Sequence, residues 1–228
     1  TKNSRTGIFA YRAAPIQINF LGYPGTMGAK FFDYIIADPI IIPKANRGFY
    51  SEEIIYMPHT YQPTSHSSVI SNKIFTKSEM NLPNHSFVFC CFNNSYKISP
   101  NEFSIWMRIL NKVENSVLWL IGSNKWAKQN LSKEAENHGI DSKRLIFANH
   151  FTHSDHLARL KLADLFLDTF NVNAHTTTSD ALWAGTPVIT KLGNSFASRV
   201  AASILKAVGL PELVVQNEKE YENLILEI

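Results

Sequence analysis

Short apolar runs alternate with amphipathic stretches along most of the chain. Residues 86–93 (SFVFCCFN), 116–123 (SVLWLIGS), 144–150 (RLIFANH) and 163–168 (ADLFLD) are apolar segments bounded by polar residues, the pattern of strands buried on both faces. Between the first two, Ser99 and Pro100 supply an N-cap and a first-turn proline, and Phe103, Trp106, Ile109 and Leu110 then fall on one helical face. Residues 130–140 (NLSKEAENHGI) read as an amphipathic helix stopped by Gly139, and 154–163 (SDHLARLKLA) as another. ALWAG gives a helix closed by Gly185 and Pro187, Val188 to Thr190 a strand, and 191–213 a loop and then a helix. The last nine residues, EYENLILEI, read as helix. Strand and helix alternate throughout, which predicts an α/β architecture with a parallel, doubly wound sheet.

The first third is less regular. Residues 15–39 read as strand, glycine loop, short helix and strand. Ile16, Ile18 and Phe20 alternate with polar residues, and Gly22, Gly25 and Gly28 follow at three-residue intervals. Such a loop is either a ligand-approaching backbone or a plain turn. A short helix is predicted over Tyr50 to Ile55, and residues 64–83 are polar and aperiodic, marking a boundary between a first unit (1–83) and a second (84–228).

Chemistry concentrates in residues 168–199, DTFNVNAHTTTSDALWAGTPVITKLGNSFASR. A polar loop at the C-terminal end of a parallel strand opens there onto a helix N-terminus. Ligands of open α/β sheets bind at that edge, and unpaired N–H groups with the helix dipole favour phosphate. His175, Thr176 and Thr177 are expected to add side-chain donors. Asp180, a turn further on, would repel phosphate and suits a sugar hydroxyl. The pattern points to a nucleotide-diphosphate site, with helix capping by the hydroxyls as the alternative. Lys97 lies in the first strand-to-helix loop of the same sheet, where it either neutralises a diphosphate or is an ordinary surface lysine.

Composition narrows the classes. The 228 residues are 45% hydrophobic and 18% charged, with mean hydropathy −0.11, enough for a sizeable core. A net charge of +3 without a basic stripe argues against nucleic acid. Adjacent Cys90 and Cys91 inside an apolar run read as buried free thiols of a reducing compartment. No stretch is apolar enough for a membrane span or a signal peptide, so no membrane partner and a cytoplasmic location are expected. The abrupt start and an end within a helix read as a piece of a longer protein. His150, His153 and His156, with Asp155 among them, raise a metal site, but the His-Glu-x-x-His pattern is absent and capping by Thr152 or Ser154 accounts for much of the motif.

LGYPGTMG, MPHT, FNNSYKI, HTTTSDALWAGTP and ASRVAAS occur in order, and together they resemble the O-GlcNAc transferase family over about residues 6–221. These are nucleotide-sugar-dependent protein glycosyltransferases that usually follow tetratricopeptide repeats. The resemblance implies a glycosyltransferase-B fold: the tail of the first Rossmann-like lobe in 1–83 and a near-complete second lobe in 84–228. It implies inverting transfer of N-acetylglucosamine from UDP-GlcNAc to Ser or Thr hydroxyls of an acceptor protein or peptide, with no metal or other cofactor. Lys97 takes the family's phosphate-contacting catalytic role. Asn94 stands where the family often has Gln, and Tyr96 would line the donor pocket. His156 would pack on the uracil with Arg159 a turn on, and His153 replaces a lysine that touches the nucleoside in animal members. Leu21, Gly22 and Pro24 would lie near the donor's sugar. His59 matches as a lobe-connecting residue and Arg199 as a fold-locking ion-pair partner. The family's repeats show no period here and would lie upstream. Its first-lobe histidines also lack a counterpart, Phe9 standing at the aligned place, so weak or absent turnover by this piece is expected. Rival readings are a SPINDLY-type GDP-fucose transferase, a non-catalytic nucleotide-sugar-binding module and a metal-dependent hydrolase.

Overall fold

The computed structural model describes residues 4–228 and contains two parallel sheets. The larger has six strands: β4 (Phe87–Cys91), β5 (Ser116–Ile121), β6 (Leu145–Ala148), β7 (Leu165–Leu167), β8 (Val188–Lys191) and β9 (Val214–Val215). Their spatial order is β6-β5-β4-β7-β8-β9, every neighbouring pair parallel. The chain winds outward from β4 in one direction and then from β7 in the other. The C-terminal ends of β4 and β7 therefore flank the crevice where such sheets bind ligands. Phe89, Trp119 and Phe166 fill the sheet, with Trp106 and Tyr221 packed against it from flanking helices.

The helices form where their caps and faces dictate. Helix α1 (Pro100–Lys112) starts at a capping box in which Ser99 and Glu102 satisfy each other's end of the first turn. Its Phe103, Trp106, Ile109 and Leu110 are all buried, as the periodicity predicts. Helix α2 (Lys125–Asn137) begins earlier than its apolar period indicates, at an Asn124 cap that accepts from Ala127 N–H at 2.8 Å. Helix α3 (His153–Leu160) is capped by Thr152. Helices α4 (Thr176–Ala184), α5 (Val200–Ala207) and α6 (Glu218–Glu227) complete the layers. The two-residue strand β9 is too short to leave a periodic signature. No helix among the described residues is long and apolar enough to cross a membrane.

The small sheet, β1 (Ile18–Asn19), β2 (Tyr34–Ala37) and β3 (Glu53–Tyr56), departs from the sequence reading in three places. Around β1 the apolar residues Ile16, Ile18 and Phe20 are exposed, whereas Gln17 and Asn19 are buried. Loop carbonyls that the two side-chain amides satisfy explain the inversion: Gln17 Nε2 donates to Phe9 O at 2.8 Å and Phe31 O at 2.6 Å, and Asn19 Nδ2 to Gly25 O at 2.9 Å. The short helix expected between the glycine loop and β2 does not form. Gly28 turns left-handed at φ 62°, and the few residues before Asp33 N–H bonds to Gln17 O are too short to nucleate one. The helix expected over Tyr50 to Ile55 is strand β3, because Ile54 and Ile55 are β-branched and pair with Ile35 and Ile36 of β2. A 3₁₀ turn at Lys44–Phe49 precedes it.

Helix α5 is shared by both cores. Phe196, Val200 and Ile204 pack with Ile35, Ile41 and Tyr61 around the small sheet, while Leu205 joins the large sheet's cluster. Asp38, fully buried after β2, accepts the N–H groups of Ile40, Ile41 and Tyr61 at 2.9 Å each and the Ser203 hydroxyl of α5 at 2.7 Å. Arg199 locks the junction, but through carbonyls and not as an ion pair: Nε donates to Ile40 O at 2.6 Å and Nη1 to Gly193 O at 2.7 Å. His59 is exposed, and the connection runs through its neighbours, Thr60 to Ser203 at 2.8 Å and Tyr61 to Asp38. Asp38→Asn must turn an amide toward one of these donors and is expected to cost about 2–4 kcal/mol in denaturant melts, against about 1 kcal/mol for Ser203→Ala.

Candidate nucleotide site at the sheet reversal

Strand β7 is followed directly by Asp168, whose side chain is fully buried. Its carboxylate accepts Thr169 N–H at 2.8 Å, Ala174 N–H at 2.6 Å, the Thr190 hydroxyl of β8 at 2.7 Å and Asn93 Nδ2 at 3.3 Å. One side chain thus folds the 168–174 loop back on itself and ties it to the ends of β4 and β8. Burial pushes Asp168 up to about 7 against the pull of these donors and of Lys97. Within the loop, Thr169 donates to Val172 O at 2.7 Å and Asn173 Nδ2 to Thr169 O at 2.8 Å.

Lys97 arrives from the loop after β4 and donates to the Asn173 carbonyl at 2.9 Å. Its half-buried position sets aside the surface-lysine alternative. Burial lowers its pKa, and the nearby Asp168 charge opposes that shift. The ammonium therefore stands beside the N-terminus of α4, where the first N–H groups of a helix have no partner within it.

The α4 side chains behave differently from the sequence expectation. Hydroxyl capping does not occur: His175 is the N-cap residue, and the three threonines lie inside the first turn. Thr178 donates to Ala174 O at 2.8 Å, and Thr177 to Asn93 Oδ1 at 2.8 Å, so the Thr177 hydroxyl proton is committed to the protein. Thr176 is exposed. The expected ring donor of His175 is also committed. Its Nε2 faces Ala197 O at 3.1 Å and must carry the hydrogen there, which leaves Nδ1 as an acceptor. Burial drives this imidazole down to about 4, keeping it neutral. Thr178 and Ser179 N–H already donate to His175 O, so the donors left at this end among the described residues are the Thr176 and Thr177 amides, the Thr176 hydroxyl and Lys97.

Asp180 pairs with His153 across α3 and α4 at 3.0 Å. His156, half-buried, meets the Phe92 ring edge-on at 5.0 Å and accepts Arg159 Nε at Nδ1, 3.1 Å away. Burial, then the Arg159 charge, brings it down to about 4. Arg159 is itself buried, its guanidinium over the rings of Phe151 at 4.6 Å and Phe92 at 5.1 Å. His153 and His156 therefore serve different partners, and among the described residues no three His, Cys, Asp or Glu groups gather as a metal's ligands would.

Not every expected residue joins this network. Tyr96 is 82% exposed, and Asn94 Nδ2 lies 3.4 Å from its hydroxyl. Leu21, Gly22 and Pro24 sit on the glycine loop of the small sheet, Leu21 at the left-handed φ of 56°. Gly22 lines a 620 Å³ cavity beside Phe9 and Phe20. Pro24 lines a 320 Å³ cavity that reaches Asn194, Ser195 and Phe196. The next residue, Ala197, is the one that holds His175. Sequence reasoning missed Asn93, Asp168 and Asn173. Their only signal was a polar residue at the end of, or just beyond, a buried strand.

The sequence profile of glycosyl transferase family 41 matches residues 1–74 and 69–228. Among curated proteins, the probable UDP-N-acetylglucosamine–peptide N-acetylglucosaminyltransferase SEC of Arabidopsis thaliana is 37% identical over 97% of this chain and 23% of its own length. The probable UDP-N-acetylglucosamine–peptide N-acetylglucosaminyltransferase SPINDLY of Petunia hybrida is 33% identical over 100% of this chain and 25% of its own length. The chain thus spans about a quarter of the length of these relatives. Among solved structures, a mutant of the Thermobaculum terrenum O-GlcNAc transferase superposes with a TM-score of 0.84 at 28% identity, over 96% of this chain and 41% of that one. A sucrose-phosphate synthase from Thermosynechococcus elongatus shares the fold, with a TM-score of 0.55 at 13% identity, over 86% of this chain and 54% of its own. A glycosyltransferase-B architecture at the sheet reversal and a profile match along nearly the whole sequence place this chain in glycosyl transferase family 41.

Proposed function

We propose that the chain forms the nucleotide-sugar half of a protein O-glycosyltransferase, moving N-acetylglucosamine from UDP-GlcNAc to Ser or Thr hydroxyls of a polypeptide acceptor without a metal. The observation that carries this reading is Lys97 standing beside the α4 N-terminus at the sheet reversal, tied to Asn173 O at 2.9 Å. As the acceptor oxygen bonds to the anomeric carbon, the bond to the diphosphate breaks and negative charge builds on the leaving group. Lys97, the Thr176 hydroxyl and the first amides of α4 are aimed where that charge develops, and they require no rearrangement to meet it. His175, neutral and accepting at Nδ1, suits a hydroxyl or amide N–H of the donor better than a phosphate. Asp180 suits a ribose hydroxyl, with His153 holding its carboxylate in place. The names and activities of the relatives support the transferase assignment. A cytoplasmic setting and upstream tetratricopeptide repeats belong to the same proposal.

Calorimetric titration of the intact protein with UDP and GDP tests the donor. UDP is expected to bind, and Lys97→Ala and His175→Ala to weaken it; preference for GDP would move the assignment to fucose. Lys97→Ala is further expected to lower kcat by about a hundredfold or more, the scale for losing one preorganised charge stabiliser. Turnover near that of the wild type would remove Lys97 from the mechanism.

The depressed His156 also has a pH signature. Because the folded ring resists protonation until about 4, acidification below its unfolded value of about 6.5 favours the unfolded chain. Stability contributed by the neutral ring is complete above that value and is lost as pH falls toward 4. Replacing it by His156→Asn should therefore narrow the gap to the wild type by about 2 kcal/mol between pH 8 and pH 5, measured by denaturant melts at each pH.

A further inference from the structure

The glycine loop between β1 and β2 has no regular structure, yet buried polar groups grip it from both sides. Glu52, immediately before β3, is only 3% exposed. Its carboxylate accepts the Thr26 hydroxyl at 2.5 Å, the Met27 N–H at 2.6 Å and the Ser51 hydroxyl at 3.1 Å. The Thr26 oxygen in turn accepts Gly28 N–H at 3.0 Å and Ser51 N–H at 3.3 Å. From β1, Asn19 donates to the Gly25 carbonyl at 2.9 Å. Three donors converge on Glu52, the two hydroxyls on one oxygen and the Met27 N–H on the other, a set that an amide with a single acceptor oxygen does not match.

The loop held this way is the wall between the 620 Å³ and 320 Å³ cavities, and the smaller one opens toward the Asn194–Phe196 segment next to the His175 anchor. Glu52 lines neither cavity. We infer that Glu52 is a positioning residue: acting through Thr26 and Met27, it sets the glycine loop as the surface against which the donor's sugar rests. This rests on the nucleotide-sugar reading above. It separates two parts of the donor, because the nucleotide meets Lys97 and α4 on the large sheet, whereas the sugar would meet a loop shaped from the small one.

The test compares Glu52→Gln, Thr26→Val and Thr26→Ser with the wild type in the intact protein. UDP and UDP-GlcNAc are titrated calorimetrically, and amide hydrogen exchange is followed over residues 21–28. Glu52→Gln and Thr26→Val are expected to weaken UDP-GlcNAc by about tenfold, the scale of one lost buried hydrogen bond to a charged acceptor. UDP affinity should stay within about twofold, since the two sites share no partner. Thr26→Ser keeps the hydroxyl and should restore wild-type binding, while the loop amides exchange faster in the two damaging variants. Equal losses for UDP and UDP-GlcNAc, or unchanged UDP-GlcNAc affinity, would overturn the inference. A wild type that binds neither UDP nor GDP overturns the parent reading and the sugar role with it; the exchange rates then decide separately whether Glu52 holds the loop.

Discussion

A fully buried carboxylate with four donors around it is the constraint on which the large sheet's ligand edge depends. Asp168 draws on the ends of β4, β7 and β8 and on the loop between β7 and α4. Removing such a charge from water is costly, and the hydrogen bonds offset that cost only when all are made together. The loop is consequently held closed on Asp168, and the position of Asn173 follows. Through the Asn173 carbonyl, so does the position of Lys97. The Lys97 ammonium is thus aimed by a chain of contacts that begins in the hydrophobic interior.

The large sheet was legible because each of its longer strands is buried on both faces and each main helix carries an apolar stripe. Caps at Ser99 and Thr152 and stops at Gly139 and Gly185 mark helix ends in plain view. The small sheet was not legible, for a physical reason. Around β1 the buried positions are Gln17 and Asn19, chosen for the carbonyls they satisfy, so a reading that sends apolar residues inward inverts the strand. Strand β3 was lost because a four-residue run of Glu-Ile-Ile-Tyr reads as easily on a helix as on a strand until its neighbour is known.

The site divides along the same line. Topology puts Lys97 and the α4 N-terminus at the C-terminal ends of parallel strands, while the role expected of Lys97 came from the family resemblance. The roles of individual donors could not be found from topology. Whether a threonine hydroxyl caps a helix, faces a ligand or is spent on a neighbour depends on Asn93, which lies 84 residues away in sequence from Thr177. The His175 tautomer is likewise decided by a carbonyl 22 residues downstream. Hydrogen-bond partners of that separation leave no trace in local spacing.

The sharing of α5 between two cores also bears on how the chain is made. The Ser203–Asp38 contact spans 165 positions and the Arg199–Ile40 contact 159. Strands β1 to β3 leave the ribosome early, but the helix that covers them emerges after nearly all of the large sheet. During synthesis, Ile35, Ile41 and Tyr61 must wait without their permanent cover, and loop closure over so long a segment is slow. The amino-terminal third of the chain is therefore the part with most to gain from a chaperone, although it contains the smaller core.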